Sequence, residues 1–509
     1  MNKKLTKLII PIALGLLILL GIFSRSVEVI NGNYIFGFDH GRDYLLAREI
    51  AHDHNLRLIG TPLGAGSAGI QGIFHGPGYY YILAIFYILF GADPYGGVVA
   101  MLLFGVAAII ASYLLGKRLF GSLGGLLVAT FIALSPPLIS QSRSIWNSHP
   151  TTVFIVLTFL FIYASLKDNK HRALYAFLAA FFAGFTYNFE FAVGIPLTIA
   201  LLLYSIFMYK TKLIKYLPIV GGSIIAYAPM VIFEIKHKFM AISGLLSYLG
   251  NPQKSKSELS FVENNIDHAH SFLFNFVDSF PRQSTFPGPI ILAVFILGFI
   301  LVIRREKNKD LKSFFIFLAS LPLVSFAIFS LLRNAVYHYY LVHLNVAYIL
   351  LAVFIIFGCF RNFKNKFVQI AIVVILVFFG LNAVGTYTKM ISYDLYDYGG
   401  DAKIQGKLDA INYVYNDAES NDFGVLVFSP PVYIYPYEYL FLWKGKSQYG
   451  YMPPFEKKKI TYLIIEVDPA KPWSYKGWLE TVIKDGKVLQ TTTRKSGLII
   501  QKRYYEEKN

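Results

Sequence analysis

About eleven stretches of this chain are predominantly apolar over roughly the length, about 17 to 25 residues, that a helix needs to cross the hydrocarbon core of a bilayer. They fall near residues 8–23, 95–115, 122–140, 150–166, 173–188, 190–209, 216–234, 287–303, 313–332, 340–358 and 367–385. Backbone amides in hydrocarbon must bond within their own segment, so runs of this kind fold as helices. The composition agrees: 55% of the 509 residues are hydrophobic and 15% charged, against about 25% charged in soluble domains. Cys359 is the only cysteine, which excludes an intramolecular disulfide, a four-thiolate zinc site and a cysteine-ligated cluster.

The formal charge of +17 would suggest a nucleic-acid partner in a soluble protein, but in a membrane protein the position of each charge matters more. Lys and Arg accumulate in cytoplasmic loops. One further apolar run, GYYYILAIFYILFGA at 78–92, decides the count. If it lies along the interface, where tyrosine-rich apolar segments are comfortable, the basic clusters fall into phase. They are Lys3, Lys4 and Lys7; Lys117 and Arg118; Lys167, Lys170 and Arg172; Lys210, Lys212 and Lys215; Arg304 to Lys312; and Arg361, Lys364 and Lys366. These loops hold 19 of the 47 basic residues and three of the 30 acidic ones, leaving 28 against 27 elsewhere. The expected topology is therefore a multi-pass protein of the plasma membrane, N-terminus cytoplasmic and C-terminus outside. No nucleic-acid partner is expected.

Three outer segments exceed ordinary connections: a first outer loop at 24–94, a second at 235–286, and a polar C-terminal region. The expected division is a transmembrane domain over 1–385 and a soluble extracytoplasmic α/β domain over 386–509. In the latter, strands are predicted at GVLVFS, ITYLIIEV and GLIIQKRYY, and a helix near 402–416. The aromatic run VYIYPYEYLFLW, Val432 to Trp443, reads as core rather than as a glycan surface. The fold class is an all-α polytopic membrane protein with a small C-terminal α/β domain.

Polar residues gather at the outer ends of the spans. FGFDHGRDYLLAREIAHDH follows the first span and carries Asp39, Arg42, Asp43, Arg48, Glu49 and Asp53. A carboxylate in a partly desolvated site acts as a general base toward a hydroxyl or amine, and Arg42 can hold that carboxylate or a phosphate. The alternative is an amphipathic interfacial helix with Leu45, Leu46 and Ile50 facing down and the charges in water. In GIFHGPGYYY, the turn at Gly76 to Gly78 sets the approach of His75 and the tyrosines. SRSIWNSHP offers Arg143, Trp146, Asn147 and His149, a set suited to a sugar face and its hydroxyls or to phosphate, or simply an interfacial tryptophan anchor. Glu190 in TYNFEF, and Arg333, His338 and Tyr339 in RNAVYHYY, lie at further outer ends; an acid beside a bilayer needs a partner or a wet cavity. HAH at 268–270 reads as solvated loop, GAGSAG at 64–69 lacks the flanking strand and helix of a phosphate loop, and no spacing nominates a metal site. No cofactor is indicated by the sequence, which leaves a divalent metal open.

FDHGRDYLLARE, FHGPGYYYILA and SRSIWNSHP resemble the outer-loop motifs of GT-C fold membrane glycosyltransferases, in particular the glycosyltransferase family 39, protein O-mannosyltransferase and aminoarabinose transferase (RgtA-like) group. The resemblance covers roughly residues 1–210. It implies inverting transfer of a sugar from a polyprenyl-phosphate donor to a glycolipid, glycan or protein acceptor on the outer membrane face. Asp39 would then be the general base. Arg42, His75, Arg143, Arg333, His338 and Tyr339 would bind the donor phosphate or sugar; Asp43, Asn147, His149 and Glu190 would bind sugar or acceptor. Three positions depart from the family pattern: His40 follows the expected base, His75 replaces a lysine, and Asn147 an acid. A transporter or flippase of polyprenyl-linked sugars, and a surface-glycan polymerase or ligase of the same fold, are the alternatives. A receptor anchored by so many spans is disfavoured.

Overall fold

A computed structural model describes residues 3–63, 72–250, 260–281, 287–332, 335–362, 366–418, 422–430 and 432–506. GAGSAG and Arg333 lie outside these residues. The chain forms two compact units. The first comprises Met1–Ser26, Arg57–Tyr79 and Met101–Ile391, the second Val27–Leu56, Tyr80–Ala100 and Ser392–Asn509. The second unit thus combines the C-terminal stretch from Ser392 with two earlier pieces of the chain.

The first unit is helical. Among the described residues eight helices of the chain are long and apolar enough to cross a membrane. The longest, Tyr95–Leu134, is interrupted at Gly121, whose φ of 76° and ψ of −176° are non-helical. A Cβ on Gly125 would lie 2.7 Å from the Tyr113 carbonyl oxygen, and one on Gly116 2.9 Å from that of Gly124. The two halves therefore fold back on each other through glycines, with Lys117 and Arg118 near the bend, as the predicted break between 115 and 122 requires. Thr151–Lys167 and Arg172–Phe185 correspond to two more predicted spans. Gly78–Leu89 has only 12 residues, about 18 Å at 1.5 Å per residue, too short for a hydrocarbon core of about 30 Å.

Small residues set the closest helix packing, as expected where lipid removes the hydrophobic drive between helices. Ala176, Ala179, Ala180, Ala183 and Gly184 form the buried stripe of Arg172–Phe185. Across it, in Leu217–Lys236, a Cβ on Gly222 would lie 2.3 Å from the Phe177 carbonyl oxygen. The helix Val342–Asn362 is buried over most of its length, and Phe354 stacks on Phe315 with centroids 4.0 Å apart. The region 235–286 is less loop-like than expected: it forms the helices Met240–Gly250 and Phe261–Asp278. Contrary to the expectation for HAH, His268 is fully buried, because it shares one helical stripe with Asn264, Phe272 and Asn275.

The second unit contains a four-stranded sheet of order β1-β2-β4-β3, with β1 Gly424–Phe428, β2 Ile460–Ile465, β3 Lys487–Thr493 and β4 Ile499–Tyr504. β1 and β2 are parallel, in register Phe428 to Ile465; the other two pairings are antiparallel. The predicted helix is Ile404–Asp417. Val432 to Trp443 supplies core, as expected, through Tyr437, Tyr439, Leu440 and Phe441, while Val432 and Tyr433 are exposed. The beginning of the first outer loop is bonded into this unit: Phe36 N donates to Ala402 O at 3.1 Å and Ile404 N to Tyr34 O at 2.9 Å.

Candidate functional site

In the second unit the FDHGRDYLLARE motif is the helix Phe38–His52. The chain enters it extended at Gly37, whose amide donates to His40 Nδ1 at 3.1 Å. This satisfies one of the amides a helix start leaves unpaired. Asp39 stands in the first turn, where a carboxylate meets the positive end of the helix dipole. The buried face is His40, Gly41, Asp43, Tyr44, Ala47 and Ile50, whereas Leu45 and Leu46 are only half-buried. The helix thus buries Ile50, one of the three apolar residues of the interfacial alternative, together with His40 and Asp43. The inward face holds Asp43 because it packs on protein.

Arg42 joins the two carboxylates. Its Nη1 lies 2.9 Å from Asp39 Oδ1, and its Nη2 and Nε lie 2.8 and 2.9 Å from Asp43 Oδ1. The guanidinium also lies 5.6 Å from the centre of the Phe38 ring. The Asp39 side chain is 39% exposed and that of Asp43 5%. Burial pushes the Asp43 carboxyl up to about 7, against the opposing pull of Arg42 and a hydrogen bond from Tyr80. An accessible carboxylate and a buried one, bridged by one guanidinium, suit proton abstraction or phosphate binding. Arg48 pairs with Asp53 at 2.8 Å, and Asn55 donates to Glu49 at 3.1 Å; these are surface pairs of modest worth.

In the first unit four sequence-distant segments converge. Phe191 N donates to His75 Nδ1 at 2.9 Å, which leaves the ring proton of neutral His75 on Nε2. Glu190, almost fully buried, caps Phe191–Tyr209 by accepting from Ala192 N at 3.2 Å, and its Oε1 lies 4.0 Å from His75 Nδ1. Asn147 Nδ2 donates to Phe189 O at 2.6 Å, the Trp146 and Tyr339 rings are 6.5 Å apart, and Tyr340 lies within electrostatic reach of Glu190. Arg143 is buried three residues before Trp146, and His149 Nδ1 meets the Ser144 carbonyl. His338 packs edge-on to Tyr339.

Asn188 was not among the predicted residues, yet it organises this cluster. It accepts from Gly78 N at 3.2 Å. A Cβ on Gly76 would lie 2.5 Å from its Oδ1, and one on Gly78 2.8 Å from its Cβ. Both glycines are therefore required by close approach to Asn188, for which the only signal nearby in the sequence was Glu190, two residues on in the TYNFEF motif. Among the described residues no three His, Cys, Asp or Glu side chains gather as a metal-binding group.

A family model described as dolichyl-phosphate-mannose-protein mannosyltransferase matches residues 74–233, the stretch that carries His75, Arg143, Asn147, His149 and Glu190. The chain is similar to ArnT from Cupriavidus metallidurans bound to undecaprenyl phosphate, with a TM-score of 0.58 and 12% identity over 96% of this chain and 97% of that one. Its apo state gives 0.55 at the same identity and coverage. The oligosaccharyltransferase of Archaeoglobus fulgidus, in complex with Zn and sulfate, gives 0.50 at 14% identity over 96% of this chain and 72% of that one. No curated protein matches. The fold is that of the GT-C membrane glycosyltransferases, as the motifs implied.

Proposed function

We propose that this protein is an inverting glycosyltransferase that takes a sugar from a polyprenyl-phosphate donor and delivers it to an acceptor on the outer face of the membrane. The observation that carries this reading is the Asp39–Arg42–Asp43 bridge, on a fold shared with ArnT, which binds undecaprenyl phosphate. Asp39, accessible and ion-paired on one oxygen, removes the proton of the acceptor nucleophile as that group attacks the anomeric carbon. The carbon–oxygen bond to the phosphate breaks on the opposite face, and the bonding pair leaves with the phosphate. Arg42 steadies Asp39 and supplies positive charge, the main contribution a protein makes to such a departure. Asp43 holds Arg42.

His75, Arg143, Asn147, His149, Glu190, His338 and Tyr339 are assigned to recognition of sugar and phosphate; amides, an imidazole and rings fit hydroxyls and a pyranose face. The donor class also fits the match of residues 74–233 to a family described by a lipid-phosphate sugar donor. The test is turnover of radiolabelled polyprenyl-phosphate sugars in proteoliposomes, with the product identified by mass spectrometry. Movement of intact donor between leaflets without chemical transfer would support the flippase reading and overturn this one.

A further inference from the structure

The second unit contains a buried ion pair that the proposed chemistry does not use. Glu466 follows β2 and Ser429 follows β1, side by side at the carboxyl ends of two parallel strands, where Glu466 N donates to Phe428 O at 2.9 Å. Glu466 is 8% exposed and its carboxylate is fully engaged. Ser429 donates to Oε2 at 2.6 Å, Tyr437 donates to Oε1 at 2.9 Å, and Lys407 Nζ pairs with Oε1. Lys407, 3% exposed, also donates to Asp401 O at 2.6 Å and lies 5.0 Å from the centre of the Tyr437 ring.

Removing two charges from water is expensive, and replacing a buried pair by apolar residues is often neutral or stabilising. What such a network provides is a single geometry. Here it holds Tyr437, which belongs to the short helix Tyr435–Leu440. That helix lies against Phe38–His52 so tightly that a Cβ on Gly41 would stand 2.3 Å from Pro436 N and 2.4 Å from the Tyr435 carbonyl carbon. Rings pin both flanks: Phe38 lies 5.2 Å from Tyr435, and Tyr439 lies 5.1 Å from Tyr44 and 5.9 Å from Phe36. Gly41 sits between Asp39 and Arg42 in the chain. A rotation of the short helix therefore moves both.

We infer that Lys407, Glu466 and Tyr437 are positioning residues for Asp39 and Arg42, so that the C-terminal region sets the geometry of the proposed base. This rests on the assignment of Asp39 above. A displacement of about 1 Å at a reacting group lowers turnover by as much as about a hundredfold without weakening substrate binding. The experiment uses the full-length protein in proteoliposomes. Tyr437→Phe keeps the ring and removes only the tie to Glu466; its kcat is expected to fall about tenfold or more, with the donor KM within about twofold of wild type. The control is Asp409→Asn, which breaks the two-point pair with Arg494 elsewhere in the same unit and is expected to keep wild-type kcat. Thermal unfolding of Tyr437→Phe is expected to shift no more than that of the control. Should Tyr437→Phe fold poorly, Glu466→Gln/Lys407→Met, which removes both charges together, is read by the same kcat and KM criterion. A kcat within twofold of wild type, or one that falls only in proportion to folded enzyme, overturns the inference. An active Asp39→Asn variant overturns the underlying assignment instead, whereas an inactive one beside a fully active Tyr437→Phe overturns the positioning alone.

Discussion

Arg42 grips Asp43 with two nitrogens, Nη2 at 2.8 Å and Nε at 2.9 Å from one carboxylate oxygen, and keeps Nη1 for Asp39. The guanidinium is thus oriented by the buried acid and presented to the accessible one. This order assigns the two carboxylates different work, although they are four residues apart on one helix.

Asp39→Asn keeps the shape of the side chain but cannot accept a proton. The kcat for sugar transfer is expected to fall about 10²- to 10⁴-fold, the usual contribution of a general base, while thermal unfolding in detergent stays near wild type. Residual turnover close to wild type would remove Asp39 from the mechanism.

Arg42→Lys retains charge but not the planar fork that spans two carboxylates. Steady-state kinetics on donor titrations are expected to show a loss of kcat/KM of at least about tenfold, roughly the 1.4 kcal/mol of a weakened charge-assisted bond. Arg48→Lys, at a surface pair with Asp53, is expected to leave kcat/KM within about twofold. Equal effects at the two positions would contradict the bridge.

The Asp43 carboxyl is raised by burial from 3.8 to about 7. Between those values the folded protein retains a proton that the unfolded chain has released, so this group favours folding at low pH and the benefit is lost as pH rises toward 7. Melting temperature followed by scanning fluorimetry is expected to decline between about pH 4 and pH 7 in the wild type and to decline less in Asp43→Asn. Parallel profiles for the two proteins would contradict this.

Gly76→Ala forces a methyl group to within 2.5 Å of Asn188 Oδ1 and 3.0 Å of its Cα. Overpacking of this kind costs about 1–3 kcal/mol, and because the displaced segment carries His75, donor KM is expected to rise with the fall in melting temperature. Asn188→Ala frees part of that space, so the double variant is expected to recover some stability relative to Gly76→Ala; strict additivity would argue that the two residues do not share a contact.

The membrane helices were legible because the bilayer imposes one requirement on every span, and the basic pair Lys117 and Arg118 marked the break in the longest helix. The strands beginning at Gly424, Ile460 and Ile499 were legible from their apolar runs. β3, KVLQTTT, was not: its residues are almost all exposed, so it carries no burial pattern and is held by pairing with β4. The burial of His40 and Asp43 on Phe38–His52 was not legible for a different reason. Helical periodicity locates apolar stripes, but Gly41 on the same face meets Pro436 from a remote part of the sequence, and no local pattern encodes such a partner. His268 was misplaced in the same way, hidden by neighbours in space rather than in sequence. Asp39, Arg42, His75 and Glu190 stood out in the sequence as polar residues beside predicted spans; Asn188, which lies against the turn after His75, was visible only once the glycines had coordinates.

The contact of Gly41 with Pro436 has a consequence for biosynthesis. Phe38–His52 leaves the ribosome long before Tyr435–Leu440 exists; at about 5–20 residues per second the roughly 380 intervening residues take about 20 to 80 s. During that interval the helix that bears Asp39 has none of its final neighbours from the far end of the chain. A nascent chain truncated before residue 435 would therefore lack this packing, and the final seat of Asp39 is a property of the finished polypeptide.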